Sequence, residues 1–288
     1  MEKVIVNNQM LNRSEVNIDV EDRGYQFGDG VYEVIRVYNG RLFTGKEHID
    51  RLYESAKKIF LNIPFTIETI TNNIEQLVKE NKVQTGIIYM QITRGVSPRQ
   101  HHFPGEDVAP TFVAYTREMP RPDELMNKGV KAMLAEDIRW LRCDIKSLNL
   151  LPNLLAKQKA TEMGCYEAIQ YRDKTVTEGS SSNIFIVHHG LLKTHPATNL
   201  ILNGITRQVI LQLCDKNDIA YEEETFTVSE LLEADEVFMT STTSEIIPII
   251  QVDDKQIGNG KPGAITKQLL ELLQEKINND CHVKVEAN

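Results

Sequence analysis

The chain has no long apolar run, no paired cysteines and no excess of positive charge, and each lack removes a class of protein. The amino-terminal MEKVIVNNQM carries no long apolar stretch behind its charges, so neither a signal peptide nor a membrane span is expected. Lys and Arg total 32 against 41 Asp and Glu, a formal charge of −9. That balance argues against nucleic acid or an anionic membrane as partner and leaves only a local basic pocket for a small anion. Cys143, Cys165, Cys214 and Cys281 form no CxxC pair, so free thiols in a reducing cytoplasm are expected. Internal repeats and low-complexity segments are also missing. What remains, 288 residues with 41% apolar and 25% charged, is an ordinary globular composition, long enough for one large domain or two smaller ones.

Periodicity divides the chain. KVIVNN, VYEVIRVYNG, GIIYMQITRG and TFVAYTRE read as strands, with Asn39-Gly40 as a hairpin signal. HIDRLYESAKKI reads as a helix, as does TIETITNNIEQLVKEN, where Ile67, Ile70, Ile74, Leu77 and Val78 recur at helical spacing. REMPRPDE then places two prolines in a short polar run, which breaks both patterns. The predicted organisation is α+β: a small domain over 1–118, a linker at 119–123, a larger domain over 124–280 and a tail at 281–288. In the larger half GVKAMLAEDIRW reads as a strand and LPNLLAKQKATEMG as a helix, with Pro152 in its first turn. CYEAIQYR, TVTEGSS and SNIFIVHHGLLKTH read as successive strands. ITRQVILQLCDKN and AITKQLLELLQEKIN read as helices, and EVFMTSTTSEIIPIIQVDDKQIG as strand, hydroxyl-rich loop and hairpin.

Several motifs fail on context. GNGKPG fits GxGxxG, but no second strand with a terminal acid follows. SAKK fits SxxK without the companion motifs, inside an ordinary amphipathic helix. His101-His102 and His188-His189 are adjacent pairs, whose side chains diverge along a strand and do not readily chelate one metal.

Lys146 stands out. It lies among Trp140, Leu141, Ile145, Leu148, Leu150 and Leu151, and lysine is rarely buried without a partner. Desolvation would favour its neutral, nucleophilic form, able to form a Schiff base with a carbonyl. Taken alone, the segment reads more simply as an amine snorkelling to water. Three other segments add to it. Glu178 ends the strand of TVTEGSSSNIF, where a carboxylate could face a cationic nitrogen. NLILNGITRQVI opens a helix at Ile205-Thr206, whose first N–H groups favour anions. FMTSTTSE supplies hydroxyls after a strand. A polar turn, ordinary helix entry and a solvated loop are the plainer readings of each. Pyridoxal 5′-phosphate would use all four segments at once: aldehyde, ring nitrogen and phosphate.

The ordered segments EDRGYQFGDGVYEVIRVYNG, HIDRLYESA, TRGVSPRQHHFP, DIRWLRCDIKSLNLL, TVTEGSSSNIF, ILNGITR and TSTTSEI resemble the D-amino-acid branch of the fold-type IV pyridoxal-phosphate enzymes, a branched-chain aminotransferase-like superfamily. The resemblance implies a larger β-barrel-like domain with helices beside the small one, the cofactor at their interface, and a cytoplasmic homodimer. It implies that Lys146 is the Schiff-base lysine and Glu178 the partner of the ring nitrogen. Arg51, Ile205, Thr206, Ser241 and Thr242 would then contact the phosphate, and Leu202 would pack on the ring. Tyr32, Arg99 and His101 would bind the substrate carboxylate, the last two reaching across the dimer. The implied reaction is ping-pong transamination between D-amino acids and 2-oxo acids, with D-alanine and 2-oxoglutarate giving pyruvate and D-glutamate. The rivals on the same scaffold are an L-branched-chain aminotransferase and aminodeoxychorismate lyase.

Overall fold

The computed structural model describes residues 2–281. The chain divides into two compact units: Met1–Pro120 with Ile145–Asn149 and Ile277–Asn288, and Arg121–Asp144 with Leu150–Lys276. Of the tail expected at 281–288, everything after Cys281 lies outside the described residues.

The first unit contains β1 (Lys3–Val6), β2 (Gln9–Asn12), α1 (Arg23–Phe27), β3 (Gly30–Tyr38), β4 (Arg41–Leu42), α2 (Gly45–Lys58), α3 (Ile67–Glu80), β5 (Thr85–Thr93) and β6 (Thr111–Glu118). Its strands form one antiparallel sheet in the order β2-β1-β6-β5-β3-β4. Alternation along β3 sends Val31, Ile35 and Val37 into a core shared with Ile49, Leu52, Ile70 and Ile74 of the two helices. Each such aliphatic side chain removed from water contributes about 1.5–3 kcal/mol. The helical periodicity of α3 holds except at Ile67, which is exposed at the first turn. The opposite face of β3 presents Tyr32, where the candidate lysine lies.

The second unit contains α4 (Asp123–Lys128), β7 (Val130–Glu136), α5 (Leu151–Glu162), β8 (Glu167–Arg172), β9 (Thr175–Gly179), β10 (Asn183–His188), β11 (Leu191–Thr194), α6 (Ile205–Lys216), β12 (Tyr221–Glu223), α7 (Val228–Glu233), β13 (Glu236–Ser241), β14 (Glu245–Val252), β15 (Lys255–Gln256) and most of α8 (Ala264–Cys281). The sheet order is β12-β11-β10-β13-β14-β7-β8-β9, with β15 paired to β14. β7, α5 and β8 form a parallel crossover, and β14 is parallel to β7. The sheet curls, since Gly179 at the end of the last strand donates to the Ser182 carbonyl beside β10. Val130, Ile169, Ile184, Val237 and Ile249 fill the inside of the curl. This is the α+β class expected from the sequence.

The segment carrying Lys146 departs from a contiguous second domain over 124–280. Tyr32 N–H donates to the Lys146 carbonyl at 3.0 Å, Leu148 N–H donates to the Gly30 carbonyl at 3.0 Å, and Val31 bridges Ser147. These backbone bonds place residues 145–149 in the first unit beside β3. Periodicity could not reveal this, because so short a segment adds itself to a strand distant in sequence.

Candidate active site

In the first unit the structure brings Lys146 to Tyr32. The lysine Nζ lies 4.2 Å from the centroid of the Tyr32 ring, a cation–π distance, and Tyr32 stacks on Tyr89 at 5.8 Å. Among the described residues no acid pairs with Nζ. The apolar surroundings read from sequence are only partly real. Ile145 is buried, but Lys146 is half-buried, and Trp140, Leu141 and Leu151 are exposed at 44%, 61% and 66%. The loop turns those neighbours outward, so the amine owes its setting to Tyr32 and to β3. Its own backbone N–H donates to Ser55 Oγ of α2 at 3.2 Å.

Arg51, on α2, lies on the other face of β3, against Glu33. Arg51 Nε donates to Oε1 at 2.6 Å and Nη2 to Oε2 at 3.0 Å, a bidentate pair, and His48 Nδ1 donates to Oε2 at 2.7 Å. Glu33 is fully buried. Burial would raise its carboxyl, but Arg51 and His48 outweigh that and hold it at about 2. Burial keeps the His48 imidazole below its ordinary range despite Glu33. Neither Glu33 nor His48 was singled out from sequence as an active-site group; a buried acid facing a helix one strand residue after Tyr32 was the available signal.

Arg99 and His101 come together on one ring. The Arg99 guanidinium lies 4.3 Å from the Phe27 centroid, and the His101 ring lies 5.7 Å from it. Both side chains are exposed. The loop is held by Arg23, whose Nη1 donates to the Gln100 carbonyl at 2.7 Å.

In the second unit two of the predicted residues, Glu178 and Leu202, are joined by one that the sequence did not reveal, Asn183. Its Nδ2 donates to Glu178 Oε2 at 3.1 Å and to the Leu202 carbonyl at 2.8 Å. Leu202 N–H donates to the same Glu178 oxygen at 3.1 Å. A Cβ built on Gly204 would meet Asn183 Oδ1 at 2.1 Å, so only glycine fits before α6. That helix opens with Ile205 and Thr206, and its N-cap residue, Gly204, offers no side chain to the first N–H groups. Across β10 and β13 Asn183 pairs with Thr240, next to Ser241 and Thr242. Thr240 Oγ1 is buried with no hydrogen-bond partner among the described residues, and Ser241 Oγ accepts from Ser244 N–H at 3.1 Å.

Glu178 also accepts from Arg139 Nη1. Arg139 in turn grips Asp137 bidentately, at 2.9 Å through Nε and 2.8 Å through Nη2. Asp137 further accepts from Thr177 at 2.9 Å and from Arg172 Nη2 at 3.2 Å. Burial pushes the Glu178 carboxyl up to about 7, against the pull of Arg139 and the Leu202 N–H, and Asp137 adds to the rise. Asp137 itself is held well below the carboxylate range: burial works against its charge, but its hydrogen bonds to the two arginines prevail. By sequence, Asp137 and Arg139 read as the tail of a strand. β7 ends at Glu136, and their DxR spacing was the missed signal.

The amino-transferase class IV family model matches residues 30–252. This chain belongs to that family. A D-alanine aminotransferase of Bacillus licheniformis is 51% identical over 275 residues, covering 96% of this chain and 97% of that protein. Among solved structures, the Escherichia coli branched-chain amino acid aminotransferase matches with a TM-score of 0.90 at 25% identity, covering 99% of this chain and 97% of that one. A T.th. branched-chain amino acid aminotransferase, complexed with N-(5'-phosphopyridoxyl)-L-glutamate, matches with a TM-score of 0.89 at 25% identity, covering 99% and 96%. The class IV family, fold type IV and the aminotransferase assignment expected from the motifs therefore hold. Among the described residues no helix is long and apolar enough to cross a membrane, and no cluster of acids, histidines or cysteines could hold a metal.

Proposed function

We propose that this class IV aminotransferase moves the amino group between D-amino acids and 2-oxo acids with pyridoxal 5′-phosphate as cofactor, D-alanine and 2-oxoglutarate giving pyruvate and D-glutamate. The observation that carries the reading is a matched pair of groups in one chain. Lys146 is an amine with no acid partner among the described residues, and Glu178 is a buried acid held by three donors. The hand of the substrate rests on the D-alanine aminotransferase that is 51% identical.

The residues fit the cofactor. An α6 start without a side-chain cap, a Gly204 position that admits no Cβ and the orphaned Thr240 hydroxyl next to Ser241 suit a phosphate. Arg51, the N–H groups of Ile205 and Thr206, and the hydroxyls of Thr206, Ser241 and Thr242 would hold it. Pyridoxal phosphate, when bound, supplies a carbonyl for the amine and a ring that accepts electrons. Lys146 Nζ takes the α-proton from the substrate and returns it on the other side of the transfer. Glu178 would hold a proton on the ring nitrogen, with its oxygens fixed by Arg139, Asn183 and the Leu202 N–H. Leu202 would pack against the ring and limit water. Tyr32 orients the substrate carboxylate together with Arg99 and His101, a guanidinium matching a carboxylate in two bonds.

Arg99 and His101 act from a second copy of the chain. Their exposure supports this. So do exposed apolar side chains on two separate stretches, Val20, Tyr25 and Phe103 in the first unit and Leu151, Leu154 and Leu155 in the second. Four free cysteines fit a cytoplasmic setting.

The test is pyruvate release by the purified holoenzyme with 2-oxoglutarate. D-alanine should exceed L-alanine by at least about tenfold in kcat/KM, roughly 1.4 kcal/mol. Lys146→Ala should abolish turnover and the visible absorbance of the lysine-bound cofactor. Preference for L-leucine would favour a branched-chain enzyme, the reading suggested by the E. coli structure. Activity and absorbance surviving in Lys146→Ala would remove the lysine from its role.

A further inference from the structure

Glu167, on β8, is fully buried, and among the described residues no cation pairs with it. Neutral donors surround it instead. Oε1 accepts from Ala168 N–H at 2.8 Å, from Ser180 N–H at 3.1 Å and from Ser180 Oγ, while Oε2 accepts from Ser182 Oγ at 2.7 Å. A buried carboxylate is costly unless its lone pairs are used, and here each oxygen is engaged by groups of one turn. That turn runs from Gly179 to Ser182 and is closed by Gly179 N–H donating to the Ser182 carbonyl at 2.7 Å. A Cβ on Gly179 would lie 2.1 Å from Ser182 Oγ and 3.0 Å from Glu167 Oε2, so the turn wraps the acid with no room to spare.

The residues at the ends of this turn are Glu178 and Asn183, and Asn183 donates to Glu178 Oε2 at 3.1 Å. We propose that Glu167 is a positioning residue for the proposed site: its carboxylate is the template on which the serine turn folds, and the turn sets Asn183 against Glu178. The three consecutive serines then have a reason. Ser180 and Ser182 bind the template, and Ser181 is the exposed apex. The acid acts through geometry: donors converging on two fixed oxygens set the path of four residues. This inference rests on the assignment of Glu178 under the proposed function.

The geometry distinguishes two substitutions. Glu167→Gln can set its amide oxygen where three donors converge and turn its NH2 towards Ser182, whose hydroxyl can accept. Glu167→Ala leaves the turn without its template. Three measurements are made on wild type, Glu167→Gln, Glu167→Ala and Ser182→Ala: carbon-13 NMR titration of the Glu178 carboxyl in cofactor-free protein, affinity for added pyridoxal 5′-phosphate, and kcat and KM with D-alanine. Glu167→Ala should displace the Glu178 titration, weaken cofactor affinity and lower kcat by about tenfold or more, since small misplacements at a reacting centre have large effects. Ser182→Ala should do the same to a smaller degree, and Glu167→Gln should stay close to wild type. If Glu167→Ala fails to fold, Ser182→Ala decides. A Glu178 titration and a kcat unchanged in a folded variant, with only the melting temperature lowered, would overturn the proposal and leave a purely structural acid. Wild-type protein that neither binds pyridoxal phosphate nor transaminates would instead overturn the proposed function itself.

Discussion

The first unit buries Glu33 against Arg51, and the second buries Glu178 against Arg139; the same pairing leaves one acid at about 2 and the other at about 7. Desolvation is the largest influence on both and acts in the same direction. The difference lies in how the arginine is shared. Glu33 receives two guanidinium nitrogens and an imidazole. Arg139 gives its Nε and Nη2 to Asp137 and only Nη1 to Glu178. The Asp137 charge then repels a proton-free Glu178. A buried arginine divided between two acids holds one charged and leaves the other able to exchange a proton. That division suits a firm anchor in one unit and an adjustable acid in the other, the role proposed for Glu178.

The largest disturbance of this contrast comes from Arg139→Met. Glu178 loses its counter-charge and Asp137 keeps only Arg172, and breaking a buried pair typically costs about 3–5 kcal/mol. Urea unfolding near neutral pH should show a loss of that order in the cofactor-free protein. The loss should shrink on acidification, as Glu178 takes up a proton. A loss below about 1 kcal/mol, on the scale of an exposed pair, would mean that the network is not the buried one described.

The pH dependence of stability separates the two acids. Glu33 lies below its ordinary 4.5, so its stabilisation is present above pH 4.5 and disappears as pH falls through about 2. The drop from 4.5 to about 2 corresponds to about 3 kcal/mol. Glu178 lies above its ordinary 4.5, so its contribution is present below pH 4.5 and is lost as pH rises through about 7. The stability gap between wild type and Glu33→Gln should therefore be widest above pH 4.5 and close towards pH 2. The gap for Glu178→Gln should change between pH 4.5 and 7. Parallel curves for both variants would show that the two sites do not differ.

How far the sequence revealed these sites follows from the range of the forces involved. Alternation in β3 and helical spacing in α3 are local, and both appear in the structure with the core faces they predict. Motif order pointed to Lys146, Glu178 and the α6 start because the proposed cofactor's reactive groups would demand particular residue types. The supporting residues were not legible. Asn183, Arg139 and Glu167 act across strands whose pairing no local period encodes, and polar side chains in strands read as solvent-facing until a buried partner is seen. Residues 145–149 show the same limit in the backbone: two hydrogen bonds to β3 decide their place, and neither has a local signature.

The smallest and most specific change is Asp137→Asn. It removes the competing charge while keeping the shape and one acceptor, so Arg139 turns wholly to Glu178. The Glu178 carboxyl should then fall below about 7, by roughly a factor of ten in its dissociation constant, about 1.4 kcal/mol. Carbon-13 titration of the cofactor-free protein reads this directly. In the loaded enzyme the more firmly ionised acid should extend the pH range over which the ring nitrogen keeps its proton. A Glu178 carboxyl that stays put or rises in Asp137→Asn would show that burial alone sets it. The contrast with Glu33 would then reduce to differences in hydration, with the sharing of Arg139 playing no part.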